Sequence, residues 1–308
     1  MTDIATDDRI RIVHVITGTD VGGAETMLTK LISAHDRERF EVRVASVQPS
    51  GPIAERISAM GVEVTSLGAR NASAAIPAVG ALSRSLRHWR PHVVQTWLYH
   101  ADLIGGIASL LARVPALAWN IRNGTLDAVG SKRSTIMVVR ALARLSRRLP
   151  KRIVCCSENA RSLHVSLGYD AGKMTVIPNG FDLNLFRPDA RARDSVRSEL
   201  GVAADTPLAG LVARYHAQKD HGNFVAAARR VLDRVPRTHF LLCGERVTAD
   251  NAELAGFIAK SGAPDRFHLL GRRADIPRIS AALDVAISAS SFGEAFPNVL
   301  GEAMACGV

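Results

Sequence analysis

The sequence predicts an α/β fold of two Rossmann-like, parallel-sheet domains with a cleft between them, and three observations predict it. Short β-branched runs alternate with helical patterns of roughly 10 to 15 residues, the mark of βαβ units around a parallel sheet. The alternation stops once, at PNGFDLNLFRPD (Pro178 to Asp189), a stretch of turn formers without a period, and then restarts. With 308 residues, 47% of them hydrophobic and 22% charged, the chain has apolar mass for two cores.

Taken in order, Ile10 to Ile16 (IRIVHVI) reads as a strand that runs into Gly18 and the pair Gly22–Gly23, before a helical pattern from Ala24 to Ala34. Phe40 to Val47 alternates as a strand, Pro52 to Met60 reads as a helix and Val62 to Ser66 as a strand. A helix over Ala75 to Trp89 precedes a strand at His92 to Gln95, a helix at Ala101 to Leu111 and a strand at Ala116 to Trp119. Ile153 to Cys156 and Met174 to Ile177 add two strands around a helix at Glu158 to Leu167. After the aperiodic stretch, strands are expected at Leu208 to Val212, His239 to Cys243, Phe267 to Leu270 and Val285 to Ser288. Helices are expected at Asn223 to Val235, Ala252 to Lys260 and Asn298 to Ala305. The domains are therefore 1–178 and 193–308, joined by a linker at 179–192. Ala303 to Gly307 reads as a last helical turn with a glycine stop, and Val308 would open another strand, so the second domain is expected to be incomplete.

Composition removes several classes of protein. The chain is too apolar for disorder, and four cysteines, two of them adjacent (Cys155, Cys156), form neither a disulfide framework nor a zinc pattern, which fits a cytoplasmic setting. Charges break every apolar stretch before it reaches the ~18 to 20 residues of a spanning helix. The opening MTDIATDDR is acidic, unlike the basic start of a secretory leader. Of a net charge of +10, the first half holds most: 19 basic and 12 acidic residues precede Pro150. Lys132 to Arg152 carries eight basic residues and no acid, with Arg140, Arg144, Arg147 and Arg148 on one helical face. A basic amphipathic helix of this kind suits an anionic membrane surface, a peripheral attachment, as well as plain solvation. Nucleic acid is not expected, because no aromatic residues interleave the charge.

Four stretches can carry chemistry. In FGEAFPNVLGE, Glu294 follows a strand and Glu302 lies about one turn into a helix that starts near Asn298, whose free N–H groups are a natural seat for a phosphate. Two carboxylates so spaced can accept hydroxyl hydrogen bonds on either side of that phosphate, although a loop acid and a helix-surface acid would show the same spacing. In GLVARYHAQKD, Arg214 and Lys219 follow a strand end, where α/β folds bind ligands, and together can neutralise a diphosphate. Alone, they read equally as solvated loop cations. GTDVGGAE, with Gly22 and Gly23, gives a first strand-to-helix turn that is either a binding loop or a tight turn, and it is not GxGxxG. WLYHAD places His100 after a strand end, as a cleft histidine or a structural one, with Asp102 as an acid at the start of the next helix. His216 and His221 do not form HExxH, and no metal is expected.

Together these stretches resemble the retaining GT-B glycosyltransferases of family 4, over nearly the whole chain. The resemblance rests on GTDVGGAET, WLYHAD with WNIRN, CCSENA, VIPNGFDLNLFRP, VARYHAQKDH, LCGE, HLLGRRADIP and FGEAFPNVLGEAMACG, the Glu-x7-Glu pattern being the most specific. It implies transfer of a sugar from a UDP- or GDP-sugar to an acceptor hydroxyl with retention, in bacterial lipopolysaccharide or exopolysaccharide synthesis, by a hexosyl-type enzyme that needs no metal or other cofactor. With the basic first half of the chain, a lipid-linked or polysaccharide acceptor and a place at the inner face of the cytoplasmic membrane are expected. By the same resemblance Arg214 and Lys219 match the diphosphate-binding pair, Glu302 the acid on the ribose, and Glu294 the acid on the donor sugar, with the amides of Ala295, Phe296 and Asn298 nearby. Gly22 and Gly23 match the loop that closes on the phosphate, His100 a histidine near the reacting sugar, and Leu270 and Gly271 the backbone that faces the base. Two alternatives stay open: a GT-B nucleotide-sugar epimerase, and a catalytically inactive nucleotide-sugar-binding remnant.

Overall fold

A computed structural model describes residues 9–126 and 133–308. The N-terminal octapeptide and Lys132 lie outside the described residues. The chain divides into two compact units, Met1–Gly180 and Phe181–Val308.

In the first unit, β1 (Ile10–Ile16), α1 (Gly23–Ser33), β2 (Phe40–Ser46), α2 (Pro52–Ala59) and β3 (Glu63–Ser66) form one half of a doubly wound sheet. The other half comprises α3 (Ala75–Trp89), β4 (Val93–Trp97), α4 (Tyr99–Ala112), β5 (Ala116–Ile121), α5 (Arg133–Leu145), β6 (Arg152–Cys155), α6 (Glu158–Ser166) and β7 (Met174–Val176). The sheet order is β3-β2-β1-β4-β5-β6-β7, all pairs parallel. One core layer packs Met27, Leu28 and Ile32 of α1 and Ile53 and Ile57 of α2 on Ile16, Val44 and Trp97 of the sheet. Helices on both faces explain why the strands read as continuous apolar runs.

The second unit repeats the plan with α7 (Ala190–Glu199), β8 (Leu208–Val212), α8 (His221–Leu232), β9 (His239–Cys243), α9 (Ala252–Lys260), β10 (Phe267–Leu269), α10 (Ile276–Ala282), β11 (Val285–Ala286) and α11 (Asn298–Ala305). Its parallel sheet runs β10-β9-β8-β11. Along β9 the side chains alternate: Phe240 and Leu242 join one core cluster and Leu241 and Cys243 the other.

Several boundaries differ from the sequence expectation. β4 and β5 run two residues further, because buried Trp97 and Asn120 continue the pairing. β11 is only two residues long. α7 and α10 were not expected. Asp189 accepts a hydrogen bond from the Ala192 N–H (2.9 Å) and caps α7. The helix buries Ala192, Val196 and Arg197. Arg197 is 2% exposed, donating to the carbonyls of Ala203, Ala204, Thr206 and Ala282 and to the Asp284 carboxylate at 2.7 Å. Phe186 and Ala192 pack in the second unit with Ala281 and Cys306.

Candidate functional site

In both units the strand order reverses at one point, between β1 and β4 in the first and between β8 and β11 in the second. The crevice outside the carboxyl ends of two such strands is where open α/β sheets bind ligands. Arg214, Lys219 and Glu294 lie on the segments that follow β8 and β11, and Gly22, Gly23 and His100 on those that follow β1 and β4, whereas Leu270 and Gly271 follow the edge strand β10.

In the second unit, β8 ends at Val212 and the Ala213 N–H still pairs with the Cys243 carbonyl (2.8 Å). Arg214 follows, exposed and without an ion pair among the described residues. Gly244 is required beside it, since a Cβ there would strike the Ala213 carbonyl and the Arg214 amide. A 3-10 turn at Ala217–Lys219 then forms, with His216 Nδ1 accepting from the Gln218 N–H (3.2 Å). The turn presents Lys219, whose ammonium bonds the Glu294 carboxylate. Glu294 also accepts from the Ser290 hydroxyl at 3.1 Å. The lysine and glutamate side chains are 23% and 24% exposed, so solvent screens their attraction only in part.

The loop that carries Glu294 rests on the same turn. The Ser291 N–H donates to the Gln218 carbonyl (2.9 Å), and Gly293, at φ +81°, has no room for a Cβ against the Gln218 amide. Ala295 and Phe296 continue this loop into α11. The Phe296 ring lies 6.1 Å from that of Phe181, and Phe181 covers Gly301 so closely that a Cβ could not fit. α11 begins at Asn298 behind Pro297, which supplies no side-chain cap. Glu302 sits one turn on and is 9% exposed, so it is a buried acid rather than a surface one. Leu270 and Gly271 end the β10 segment. Their N–H groups already donate to the Leu242 and Val247 carbonyls (3.0 and 2.9 Å), so backbone readout by these two residues falls to carbonyl oxygens.

In the first unit, Gly22 is the N-cap of α1 and Gly23 its first residue. The turn is not empty. The Glu25 carboxylate folds back so far that a Cβ on Gly22 would collide with it. Across the reversal point, β4 ends at Trp97 and the chain turns through Leu98 at φ +72°, ψ 156°. Tyr99 is buried, its hydroxyl 2.8 Å from His164 Nε2, while His164 Nδ1 is 2.7 Å from the Ala160 carbonyl. Burial lowers the His164 pKa, outweighing that carbonyl, and the neutral ring donates from Nδ1 and accepts the Tyr99 O–H. Ala101 is buried too, and His100 between them is half-buried.

Sequence reasoning did not single out Arg122, Ser290 or Gln218. Arg122 leaves the carboxyl end of β5, lies 4.9 Å from the Trp97 ring centre and bonds the Asn179 side chain. A cation directly after a strand end is the signal that could have found it. Among the described residues no group of three His, Cys, Asp or Glu side chains is placed to hold a metal ion, and no helix is long and apolar enough to cross a membrane.

Residues 21–185, more than half of the chain, match the family described as Glycosyltransferase Family 4, and residues 206–308 match Glycosyl transferases group 1. The chain belongs to glycosyltransferase family 4. This glycosyltransferase is 27% identical over 315 residues to EpsF of Bacillus subtilis (strain 168), a protein named as a glycosyltransferase, covering 97% of the present chain and 77% of EpsF. It is 24% identical over 311 residues to the UDP-Gal:alpha-D-GlcNAc-diphosphoundecaprenol alpha-1,3-galactosyltransferase of Escherichia coli, covering 99% and 79% of the two chains. Among solved structures, Anabaena HepE in complex with UDP and glucose superposes with a TM-score of 0.80 at 24% identity, covering 97% and 79%. The fold class is GT-B, built from two parallel-sheet units.

Proposed function

We propose that this glycosyltransferase moves a hexosyl group from a UDP- or GDP-sugar to an acceptor hydroxyl with retention, without a metal ion, in bacterial exopolysaccharide or lipopolysaccharide synthesis. The Lys219–Glu294 pair carries this reading: a cation and an acid held together at the reversal point of the second unit's sheet, beside the uncapped start of α11. Arg214 and Lys219 neutralise the diphosphate, and their charge gains value as negative charge builds on the departing nucleotide. The amides of Ala295, Phe296 and Asn298 add donors at the helix start. Glu294, once the diphosphate takes its lysine, accepts hydrogen bonds from hydroxyls of the sugar. Glu302 accepts those of the ribose, and Leu270 and Gly271 meet the base through the backbone. In the first unit Gly22 and Gly23 approach the phosphate, with Glu25 as the group it replaces, and His100 stands at the reacting sugar.

The names of the relatives support a UDP-sugar donor and a lipid-diphosphate acceptor, since the Escherichia coli enzyme is named for UDP-Gal and a diphosphoundecaprenol-linked sugar and HepE holds UDP and glucose. Arg133, Arg140, Arg144, Arg147, Arg148, Lys151 and Arg152 are all exposed, and they support a peripheral position on an anionic inner membrane face. Calorimetry with UDP- and GDP-sugars tests the donor site, with R214A and E302A alongside. Saturable binding by the parent chain, lost in both variants, is expected. A folded parent chain that binds neither sugar class defeats the assignment. Donor turnover to an epimer without acceptor would make the chain an epimerase, and binding without transfer or hydrolysis would make it a binding protein.

A further inference from the structure

Leu98 is a leucine in backbone territory that belongs almost wholly to glycine, with φ +72° and ψ 156°. It stands between the last residue of β4 and the first of α4, and four ties hold it. The Leu98 N–H donates to the Asn120 carbonyl of β5 (3.3 Å), and the Leu98 carbonyl accepts from the Asp102 N–H (2.9 Å). The Thr17 hydroxyl, just past β1, accepts from the Ala101 N–H at 3.3 Å. Gly105, a turn further, lets α4 lie so close to the sheet that a Cβ there would come within 2.6 Å of the Thr96 methyl.

Asp102 ties these elements together. Its side chain is fully buried, and one carboxyl oxygen accepts from the Thr96 hydroxyl of β4, while its other oxygen has no partner. Burial pushes its pKa well above the usual carboxylate range, against the opposing pull of the Thr96 hydroxyl and the Asn120 N–H. An ionised carboxylate in that place would be costly, which favours the neutral acid. Tyr99 and Ala101 are buried in this arrangement, and His100 between them is half-buried just past the end of β4.

We infer that Asp102 is a positioning residue, which holds the glycine-like Leu98 turn closed so that His100 is presented at the reversal point of the first unit's sheet. This rests on the proposed place of His100 at the reacting sugar. A structural acid would serve the stability of the unit alone; here stability is given up at Leu98 to fix a direction.

L98G separates the two roles. Glycine removes the backbone strain, so the variant is expected to melt at or above the temperature of the parent chain, while UDP-glucose hydrolysis falls about a hundredfold in kcat with KM held within about twofold. D102A is expected to lose kcat in the same way, and D102N, which keeps the shape and the neutral state of the protonated acid, to restore it. The His100 ring resonance, identified by its loss in H100A, is expected to shift and broaden in L98G and D102A but not in D102N. L98G with the parent's kcat and an unmoved His100 resonance would overturn the inference, as would a D102N that behaves like D102A. If the parent chain leaves UDP-glucose intact, that donor reading fails by itself, and the His100 resonance decides the positioning role.

Discussion

At the scale of single residues, the candidate donor region depends on close approaches that only glycine permits. Gly301 lies beneath the Phe181 ring, which in turn meets Phe296 in the loop before α11. A methyl group at 301 must push that ring aside, and overpacking of this kind costs about 1 to 3 kcal/mol. G301A is expected to lower the melting temperature by several degrees and to weaken UDP-sugar binding in calorimetry. An unchanged affinity would show that the Phe181–Phe296 contact does not shape the donor loop. Arg197 is the opposite case, a buried cation that satisfies four carbonyls and one carboxylate. Burial alone would raise the Asp284 carboxyl, but the Leu208 N–H, Arg193 and Arg197 hold it below its ordinary value. R197M removes the donor from the Ala203, Ala204 and Thr206 carbonyls while Arg193 and the Leu208 N–H still hold Asp284, and a loss of about 1 to 3 kcal/mol is expected in denaturant titration.

At the scale of elements, α5 and the turn after it bury Val139, Leu142 and Ala143 and expose arginines at 133, 140, 144, 147 and 148. Substituting alanine at 140, 144, 147 and 148 touches nothing in the core, so the melting point should stay put. Near an anionic surface each such charge contributes about 1 kcal/mol, so partition onto vesicles rich in anionic phospholipid should fall by at least about a hundredfold. Equal sedimentation of the variant and the parent chain with such vesicles would rule out attachment through this helix. Most strands are legible in the sequence as short β-branched or apolar runs bounded by turn formers, and β2 by its alternation. α7 is not, since RARDSVRSE is so charged that its buried stripe of Ala192, Val196 and Arg197 includes an arginine. β5 hides its end for a related reason: Asn120 looks like a terminator, yet its side chain is 1% exposed. The candidate site is legible residue by residue in its ionic groups. The bond between Lys219 and Glu294, the carboxylate over Gly22 and the handed turn at Leu98 are not, because each depends on how two segments distant from the motif meet, or on a backbone angle that no leucine announces.

At the scale of the whole molecule, both units hold histidines whose pKa burial lowers. Burial pushes His14 down to about 3, helped by its neighbour His35, and its Nδ1 accepts from the Trp97 indole at 3.3 Å. In the second unit burial lowers His239 and His268, whose nitrogens lie 2.8 Å apart, with Arg266 adding repulsion at His239. A histidine whose pKa is lower in the folded state leaves stability intact above about pH 6.5, where both states are neutral. Below that the unfolded chain takes up protons that the folded chain refuses. Stability is therefore expected to fall between pH 7 and pH 5, by about 2 kcal/mol at pH 5 for His14 alone. Melting curves across that range should show the slope, and H14Q should flatten part of it. A melting point independent of pH over this interval would mean that these rings are already solvated.

The shortest strand has a kinetic consequence. β11 pairs with β8 through two residues only, Val285 with Ala209 and Ala286 with Gly210, and the partners are far apart in the chain. Closing so long a loop for so short a ladder is slow. The segment leading to Glu294 and α11 is thus expected to join its sheet late and to exchange its amide hydrogens early, which hydrogen exchange would check. A nucleotide sugar that touches the ends of both strands would act as the missing rungs, so its arrival would slow exchange there more than anywhere else.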